Sequence, residues 1–311
     1  MSRQKVFIVG AAGMVGSSAA YAMTLKEVIS EIVLIDIHQD VASGHAMDIT
    51  DAAAFTDGVI VRTGDYSEID TDDIIVITGG AAQQPGQTRL ELLGVNAGII
   101  RDVVSKIMSN GKQVYILLVT NPVDVLTYEA LRVSGLPKER VFGTGTALDS
   151  ARLRAVIAHK LGVRSDEVDA FTLGEHGDSS FTALLSASVG SIPLHAFPGY
   201  KDEMVASLDE EVSQKAYHII ETKKSTYYGI GQVIAEIVAA LRRPQPSIFP
   251  VCSLLEGEYG LHDVVISMPS LISNAGVSVL DGYRLSDGEV DKLQKSAGVV
   301  RKAIYELSKN E

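Results

Sequence analysis

His176 stands in the run Leu173-Gly174-Glu175-His176-Gly177-Asp178, a histidine framed by glycines just after a strand-like segment. An imidazole titrates near neutrality, so a loop that presents one can give and take a proton. The other six histidines (His38, His45, His159, His195, His218 and His262) lack this setting. Asp149 and Arg152 lie three apart in Leu148-Asp149-Ser150-Ala151-Arg152. On a helix that spacing puts both on one face. The carboxylate can accept a hydrogen bond from an imidazole while the guanidinium forks onto an anionic ligand. Taken singly, Asp149 could simply cap its helix and Arg152 could form a surface ion pair; it is the combination with His176 that points to chemistry. Arg89 ends the polar segment Gln83-Gln84-Pro85-Gly86-Gln87-Thr88-Arg89 beyond the fourth strand-like run. A Pro-Gly loop there can act as a lid that excludes water when it closes.

A second constellation lies at the N-terminus. Gly10, Gly13 and Gly16 frame the turn Gly10-Ala11-Ala12-Gly13-Met14-Val15-Gly16, which follows a strand-like run and opens a helix. This G-x-x-G-x-x-G spacing is a variant of the dinucleotide fingerprint. Glycines let main-chain N–H groups, including those of Met14 and Val15, approach a pyrophosphate at a helix N-terminus. A nucleotide triphosphatase loop would need Gly-Lys-Ser/Thr, whereas Gly16 is followed by Ser17. Asp36 ends the second strand-like run, 20 residues beyond Gly16. A carboxylate there accepts hydrogen bonds from ribose hydroxyls and repels a 2′-phosphate, so NAD is expected over NADP.

Together these residues answer four requirements of hydride transfer between a 2-hydroxy acid and NAD. His176 exchanges the proton, and Asp149 holds the imidazole. Arg152 could take the substrate carboxylate, and the loop that ends at Arg89 could close over the site or be an ordinary exposed connection. The set calls for no metal.

The elements that must position them are legible as pattern. Short apolar, β-branched runs at 6–9, 32–35, 59–61, 74–77 and 115–119, and a weaker one at 141–142, alternate with helix-like stretches such as 14–27, 95–108 and 123–133. Continuous apolar strands between helices imply a parallel sheet covered on both faces, an α/β Rossmann-type doubly wound domain. The character changes after Thr144. A helix is expected over 149–161, strands over 168–173 and 183–189, and a long helical region over 201–243 kinked by Gly229 and Gly231. Pro244, Pro246 and Pro250 end it, and hairpin strands follow near 248–255 and 264–268. Ser286 and Glu289 form a capping box that opens a last helix, with Val290, Leu293, Ala297, Val300, Ile304 and Leu307 on its inner face. The expected division is an NAD-binding domain over 1–144 and a mixed α+β catalytic domain over 145–311.

Composition excludes several classes. With 21% charged and 46% hydrophobic residues, the 311-residue chain reads as globular. A net charge of −12 and no basic cluster argue against a nucleic-acid partner, and any anion site must be built from individual arginines. The lone Cys252 permits no internal disulfide, which fits a reducing compartment. Arg3 and Lys5 before an apolar run resemble a signal peptide, but the regular glycines favour a strand and phosphate loop. No run is apolar over the ~20 residues a membrane helix needs, and a cytoplasmic location is expected.

The chain resembles the lactate/malate dehydrogenase superfamily over essentially its whole length. The matching segments are 10–18, 83–90, Val119-Thr120-Asn121-Pro122-Val123-Asp124, 148–154, 174–178 and Ser225-Thr226-Tyr227-Tyr228-Gly229. The resemblance implies that His176 is the proton donor and acceptor, Asp149 its orienting carboxylate, Arg152 the substrate-carboxylate ligand and Arg89 the lid arginine. It further implies that Asn121 lies near substrate and nicotinamide and that Thr226 lines the substrate pocket. Substrate choice in the family turns on the lid position occupied by Gln83. A malate enzyme carries arginine there, so the neutral Gln83 favours pyruvate and lactate. The glycine spacing, in contrast, resembles malate dehydrogenases, which keeps malate or a broader set of 2-hydroxy acids as the alternative. A non-catalytic nucleotide-binding protein on the same fold would have lost the four-residue set. Family members activated by fructose 1,6-bisphosphate hold it with an arginine and a histidine. Arg154 matches the arginine, but Asp169 replaces the histidine and would repel phosphate, so no strong activation is expected. A homotetramer, or a homodimer, is the implied assembly.

Overall fold

The computed structural model describes residues 4–81 and 89–309, with the side chain of Arg89 left out. Six strands form a parallel core: β1 (Val6–Val9), β2 (Glu31–Ile35), β3 (Ile60–Thr63), β4 (Ile74–Ile77), β5 (Tyr115–Leu118) and β6 (Val141–Gly143). Their order, β3-β2-β1-β4-β5-β6, reverses direction between β1 and β4. A doubly wound sheet opens its ligand crevice at that switch, beyond the carboxyl ends of the strands. Every residue of β1, β4 and β5 is buried, as strands covered on both faces must be.

The helices α1 (Met14–Leu25), α2 (Gln39–Ala53), α3 (Arg89–Met108) and α4 (Val123–Ser134) supply the covering layers. Two apolar clusters result. One, around Phe7, Ile75, Ile100 and Leu118, packs α3 and α4 on one face. The other, around Ile8, Met23, Ile32 and Phe142, packs α1 on the opposite face. Gly231 belongs to this second packing, because a Cβ there would come within 2.9 Å of the main chain at Ser18 in α1.

The second half does not stand apart as a separate layer. After α5 (Ala147–Leu161) come β7 (Val168–Leu173), β8 (Phe181–Val189) and the short β9 (Ile192–Pro193), which make a small antiparallel sheet. The strands β10 (Ser247–Glu256), β11 (His262–Ser273) and β12 (Gly276–Val279), however, extend the large sheet to nine strands. The join is one antiparallel pairing, Cys252 with Gly143 at the end of β6. A Cβ on Gly143 would lie 2.5 Å from the Cys252 sulfur, so the glycine permits the seam.

One expectation requires correction. The helical region over 201–243 is three helices, α6 (Asp202–Ala206), α7 (Leu208–Lys223) and α8 (Tyr228–Leu241). The break falls at Lys224, in the left-handed region at φ +70, and not at Gly229 or Gly231, which lie in the first turn of α8. Helix α3 also begins six residues earlier than the apolar pattern indicates, at Arg89. The last helix, α9 (Asp287–Ser308), opens on Ser286, whose capping box with Glu289 is formed in both directions. Its inner face buries Leu293, Ala297, Val300 and Leu307, while Val290 and Ile304 are half-buried. Among the described residues no helix is long and apolar enough to cross a membrane.

Candidate functional site

The glycine turn sits at the topological switch. Gly10 follows β1 at φ +91, a conformation L side chains rarely adopt. A Cβ on it would stand 2.4 Å from the Gly79 nitrogen, just after β4. The two crossing segments therefore touch through main chain alone. Gly16 is equally constrained, since its Cβ would lie 2.6 Å from the Gly10 carbonyl oxygen. Helix α1 starts at Met14 with Gly13 as N-cap, no side-chain cap and no acidic residue in its first turn. Its partial positive charge and the N–H groups of Met14, Val15 and Gly16 therefore face the crevice without a protein anion.

Asp36, just beyond β2, closes this crevice. Its Oδ2 accepts from the Ala12 N–H at 2.9 Å and its Oδ1 from the His38 N–H at 2.8 Å. The carboxylate is thus held in place while each oxygen keeps a further acceptor position for a diol. A cradle from which Cβ atoms are excluded, an uncapped helix start and a fixed carboxylate together fit a dinucleotide such as NAD.

The proton-exchange candidates are built from different elements. Helix α5 is pinned to β7 by two hydroxyls. Ser150 Oγ accepts from the Thr172 N–H at 2.8 Å, and Thr146 Oγ1 donates to the Thr172 carbonyl oxygen at 2.5 Å. Asp149 thereby faces the loop that leaves β7. In that loop Gly174, at φ +93, pairs in both directions with Ser267 of β11, at 3.1 and 3.0 Å. The Glu175 N–H donates to Ser296 Oγ of α9 at 2.8 Å. The His176 N–H donates to Asp124 Oδ2 of α4 at 2.8 Å. The loop is therefore tied to β11, α9 and α4 before its imidazole makes any contact.

That imidazole meets Asp149 Oδ2 through Nδ1 at 2.7 Å, and Arg152 Nη1 donates to Asp149 Oδ1 at 3.0 Å. The guanidinium side chain is 8% exposed and the imidazole 30%, so the ring keeps an open edge. Burial alone would push the imidazole pKa down. The hydrogen bond and charge of Asp149, joined by the charge of Asp124, outweigh burial and Arg152 and hold it above the ordinary histidine value. Asp149 responds in the opposite sense. Burial would raise it, but His176 and Arg152 keep it below the usual carboxylate range. The arrangement is an imidazole fixed through Nδ1, chemically able to carry a proton, with a buried cation beside it.

Two of the remaining candidates, Asn121 and Thr226, lie among the described residues. Asn121 follows β5, precedes a cis bond to Pro122, and is exposed. Thr226 is half-buried in the segment between α7 and α8. No hydrogen bond links it to His176 or Arg152. The start of α8 nevertheless abuts α5, because a Cβ on Gly229 would lie 3.0 Å from Leu148, the neighbour of Asp149. Gln83 lies outside the described residues. Of Arg89 the main chain alone is described, at the first turn of α3.

Two contributors escaped the sequence reading. Asn96, buried within α3, takes the Ala81 N–H on Oδ1 at 2.7 Å and gives Nδ2 to the Asn121 carbonyl oxygen at 3.0 Å. It ties the segment after β4 to the one after β5. Nothing distinguishes it in sequence from another polar residue of a long helix. Asp124 stood in a matched segment, but its partner is 52 residues away.

Comparison with known proteins agrees with this geometry. The NAD binding domain of lactate/malate dehydrogenase matches residues 4–143, and the alpha/beta C-terminal domain of the same family matches residues 146–311. An L-lactate dehydrogenase of Pediococcus pentosaceus is 40% identical over 97% of this chain and 95% of its own. Among solved structures, a lactate dehydrogenase from a Medee basin deep-sea metagenome library superposes with a TM-score of 0.95 at 39% identity, covering 99% of this chain and all of that one. A malate dehydrogenase of Archaeoglobus fulgidus in complex with NADH superposes with a TM-score of 0.88 at 38% identity, covering 98% of this chain and all of that one. With both halves matched by one family, the chain belongs to the lactate/malate dehydrogenases.

Proposed function

We propose that this chain interconverts pyruvate and L-lactate with NADH and NAD, and that His176 exchanges the proton. The observation that carries the reading is the Asp149 carboxylate, shared between His176 Nδ1 and Arg152 Nη1. With Nδ1 engaged, the proton to be exchanged belongs on Nε2. The imidazolium gives that proton to the carbonyl oxygen in reduction, and the neutral ring takes it from the hydroxyl in oxidation. Arg152, close to the imidazole and buried, suits a 2-oxo acid's carboxylate, which it would grip in a bidentate fork. Arg89 and Gln83 belong to the segment that closes over the substrate, Arg89 to polarise the carbonyl and Gln83 to meet the variable end. Asn121 and Thr226 line the remaining walls. The turn at Gly10, Gly13 and Gly16, the N–H groups of Met14 and Val15, and Asp36 hold the coenzyme, which when bound supplies or accepts the hydride. Several curated relatives carry the name L-lactate dehydrogenase.

Malate is the second reading. The G-x-x-G-x-x-G spacing and the likeness to a malate dehydrogenase favour it. Steady-state rates with pyruvate and with oxaloacetate, each with NADH, separate the two. The expected result is a higher kcat/KM for pyruvate; a higher value for oxaloacetate sinks the lactate reading. Gln83→Arg is expected to move the preference toward oxaloacetate by at least about tenfold, because a desolvated ion pair is worth roughly 2–5 kcal/mol.

The exposed apolar side chains on and around α2, among them Ile37, Met47 and Phe55, suit self-association into a dimer or tetramer. Light scattering on the purified protein tests this, and a monomer at micromolar concentration rejects it. The single cysteine, buried, fits a cytoplasmic setting.

A further inference from the structure

The chain holds a second carboxyl group against the His176 loop, to which the proposed proton exchange assigns no step. Asp124 lies in the first turn of α4, two residues beyond the cis bond of Asn121 to Pro122, and is 2% exposed. Its Oδ2 takes the His176 N–H at 2.8 Å. Its Oδ1 is buried with no hydrogen-bond partner among the described residues. The groups that face it are few. Cys252 of β10 faces it, fully buried, its thiol a weak donor toward the carboxylate, and Thr127 of α4 lies 3.7 Å from the cysteine sulfur. Glu175 and His176 face it from the loop.

A carboxylate that only anchored a loop would be expected to use both oxygens or to leave one in water. An orphaned, buried oxygen is costly by the measure of buried polar groups. The charge of the His176 imidazole is the nearby cation that acts on it. We propose that Asp124 is a positioning residue for proton exchange: it holds the His176 main chain from below and places a second negative charge, after Asp149, where it favours the imidazolium. Asp124 also joins the segment at Asn121 to the His176 loop, so the two walls of the crevice share one anchor. The proposal rests on His176 being the proton carrier.

Burial pushes Asp124 up to about 7, against the lowering effects of the His176 N–H, the imidazole's charge and the Cys252 thiol, with Glu175 adding to the rise. The charges that act on the imidazole in turn are Asp149, Asp124 and Arg152. Each charge thus acts on the other group, and Asp124 and His176 belong to one coupled system. Protonating the ring draws the proton off Asp124, and neutralising Asp124 makes the ring a stronger acid.

The test is Asp124→Asn, which keeps an oxygen acceptor for the His176 N–H and removes only the charge. The pH profile of kcat/KM for pyruvate reduction is measured for the parent and the variant. In the variant the alkaline limb is expected to move to lower pH by about half a unit, a roughly threefold loss of rate at a fixed pH above the limb. A limb that stays in place, whatever happens to thermal stability, overturns the proposal and leaves Asp124 a packing residue. A second measurement on the parent protein covers a variant that fails to fold. The His176 ring proton signal, assigned by its loss in His176→Asn, is followed by NMR across pH. Two inflections are expected; a single-step curve overturns the proposal. Failure of the underlying reading looks different, as full turnover by His176→Asn or a parent profile without an alkaline limb.

Discussion

Asp149 Oδ2 stands 2.7 Å from His176 Nδ1 although 27 residues separate them, and its Oδ1 holds Arg152 at 3.0 Å. One carboxylate thus holds the Nδ1 edge of an imidazole and the direction of a guanidinium. Neither partner needs to be rigid by itself, because α5 is fixed to β7 through Ser150 and Thr146 and the His176 loop is fixed to β11, α9 and α4.

The first consequence concerns pH. The His176 pKa is raised, so the imidazolium persists to higher pH than in a free histidine. In the proposed chemistry pyruvate reduction uses that form and should fall as pH rises through the raised pKa, whereas lactate oxidation uses the neutral ring and should rise there. Asp149→Asn removes the largest opposing charge. Its alkaline limb for pyruvate reduction is expected about one pH unit lower, with roughly tenfold less activity above it. An unmoved limb would show that Asp149 does not set the proton affinity of the ring.

Arg152 is buried and bonded to Asp149, and a lysine cannot reproduce a planar fork. For Arg152→Lys the KM for pyruvate is expected to rise about 10- to 100-fold, the equivalent of a charge-assisted hydrogen bond worth about 1.5–3 kcal/mol. NADH affinity, measured by fluorescence without substrate, should change little. A pyruvate KM near the parent value would remove Arg152 from the substrate site.

Gly10 combines φ +91 with a Cβ position 2.4 Å from the Gly79 nitrogen. Gly10→Ala must therefore part β1 from the segment after β4, at the floor of the coenzyme crevice. Stability should fall by about 1–3 kcal/mol and NADH binding should weaken in parallel. Thermal melts with and without NADH read both effects, and an unchanged melting temperature would refute the close approach.

In the proposed coenzyme site Asp36 would meet a 2′-phosphate with like charge. Asp36→Ala should raise the ratio of kcat/KM with NADPH to that with NADH by at least about tenfold, since like charges in contact cost several kcal/mol. Part of that change will come from weaker NADH use, because the Ala12 and His38 N–H groups lose their acceptor. No rise in the ratio would place coenzyme selection elsewhere.

Local pattern carried a large share of this protein. Alternating apolar runs and helices specify a doubly wound sheet, because each strand must be covered on both faces. Three glycines between a strand and a helix specify a phosphate loop, because that close approach leaves no room for side chains. The Ser286 and Glu289 pair marks the start of α9 because a capping box is satisfied within one turn.

Other features were decided by contacts between distant segments. The break at Lys224 depends on a non-glycine residue in the left-handed region, which no composition rule marks. The extension of the sheet by β10, β11 and β12 depends on Gly143 meeting Cys252, 109 residues later in the chain. Asn96 and Asp124 gain their roles from partners on other elements, where the residue type alone says nothing. The sequence determined which side chains could exchange a proton, bind an anion and cradle a dinucleotide, because those capacities belong to residue chemistry and local spacing. Only the tertiary structure decided that Asp149 reaches His176 and that Asp124 lies beneath it. Hydrogen bonds act over about 3 Å, and that distance between remote residues is set by packing alone.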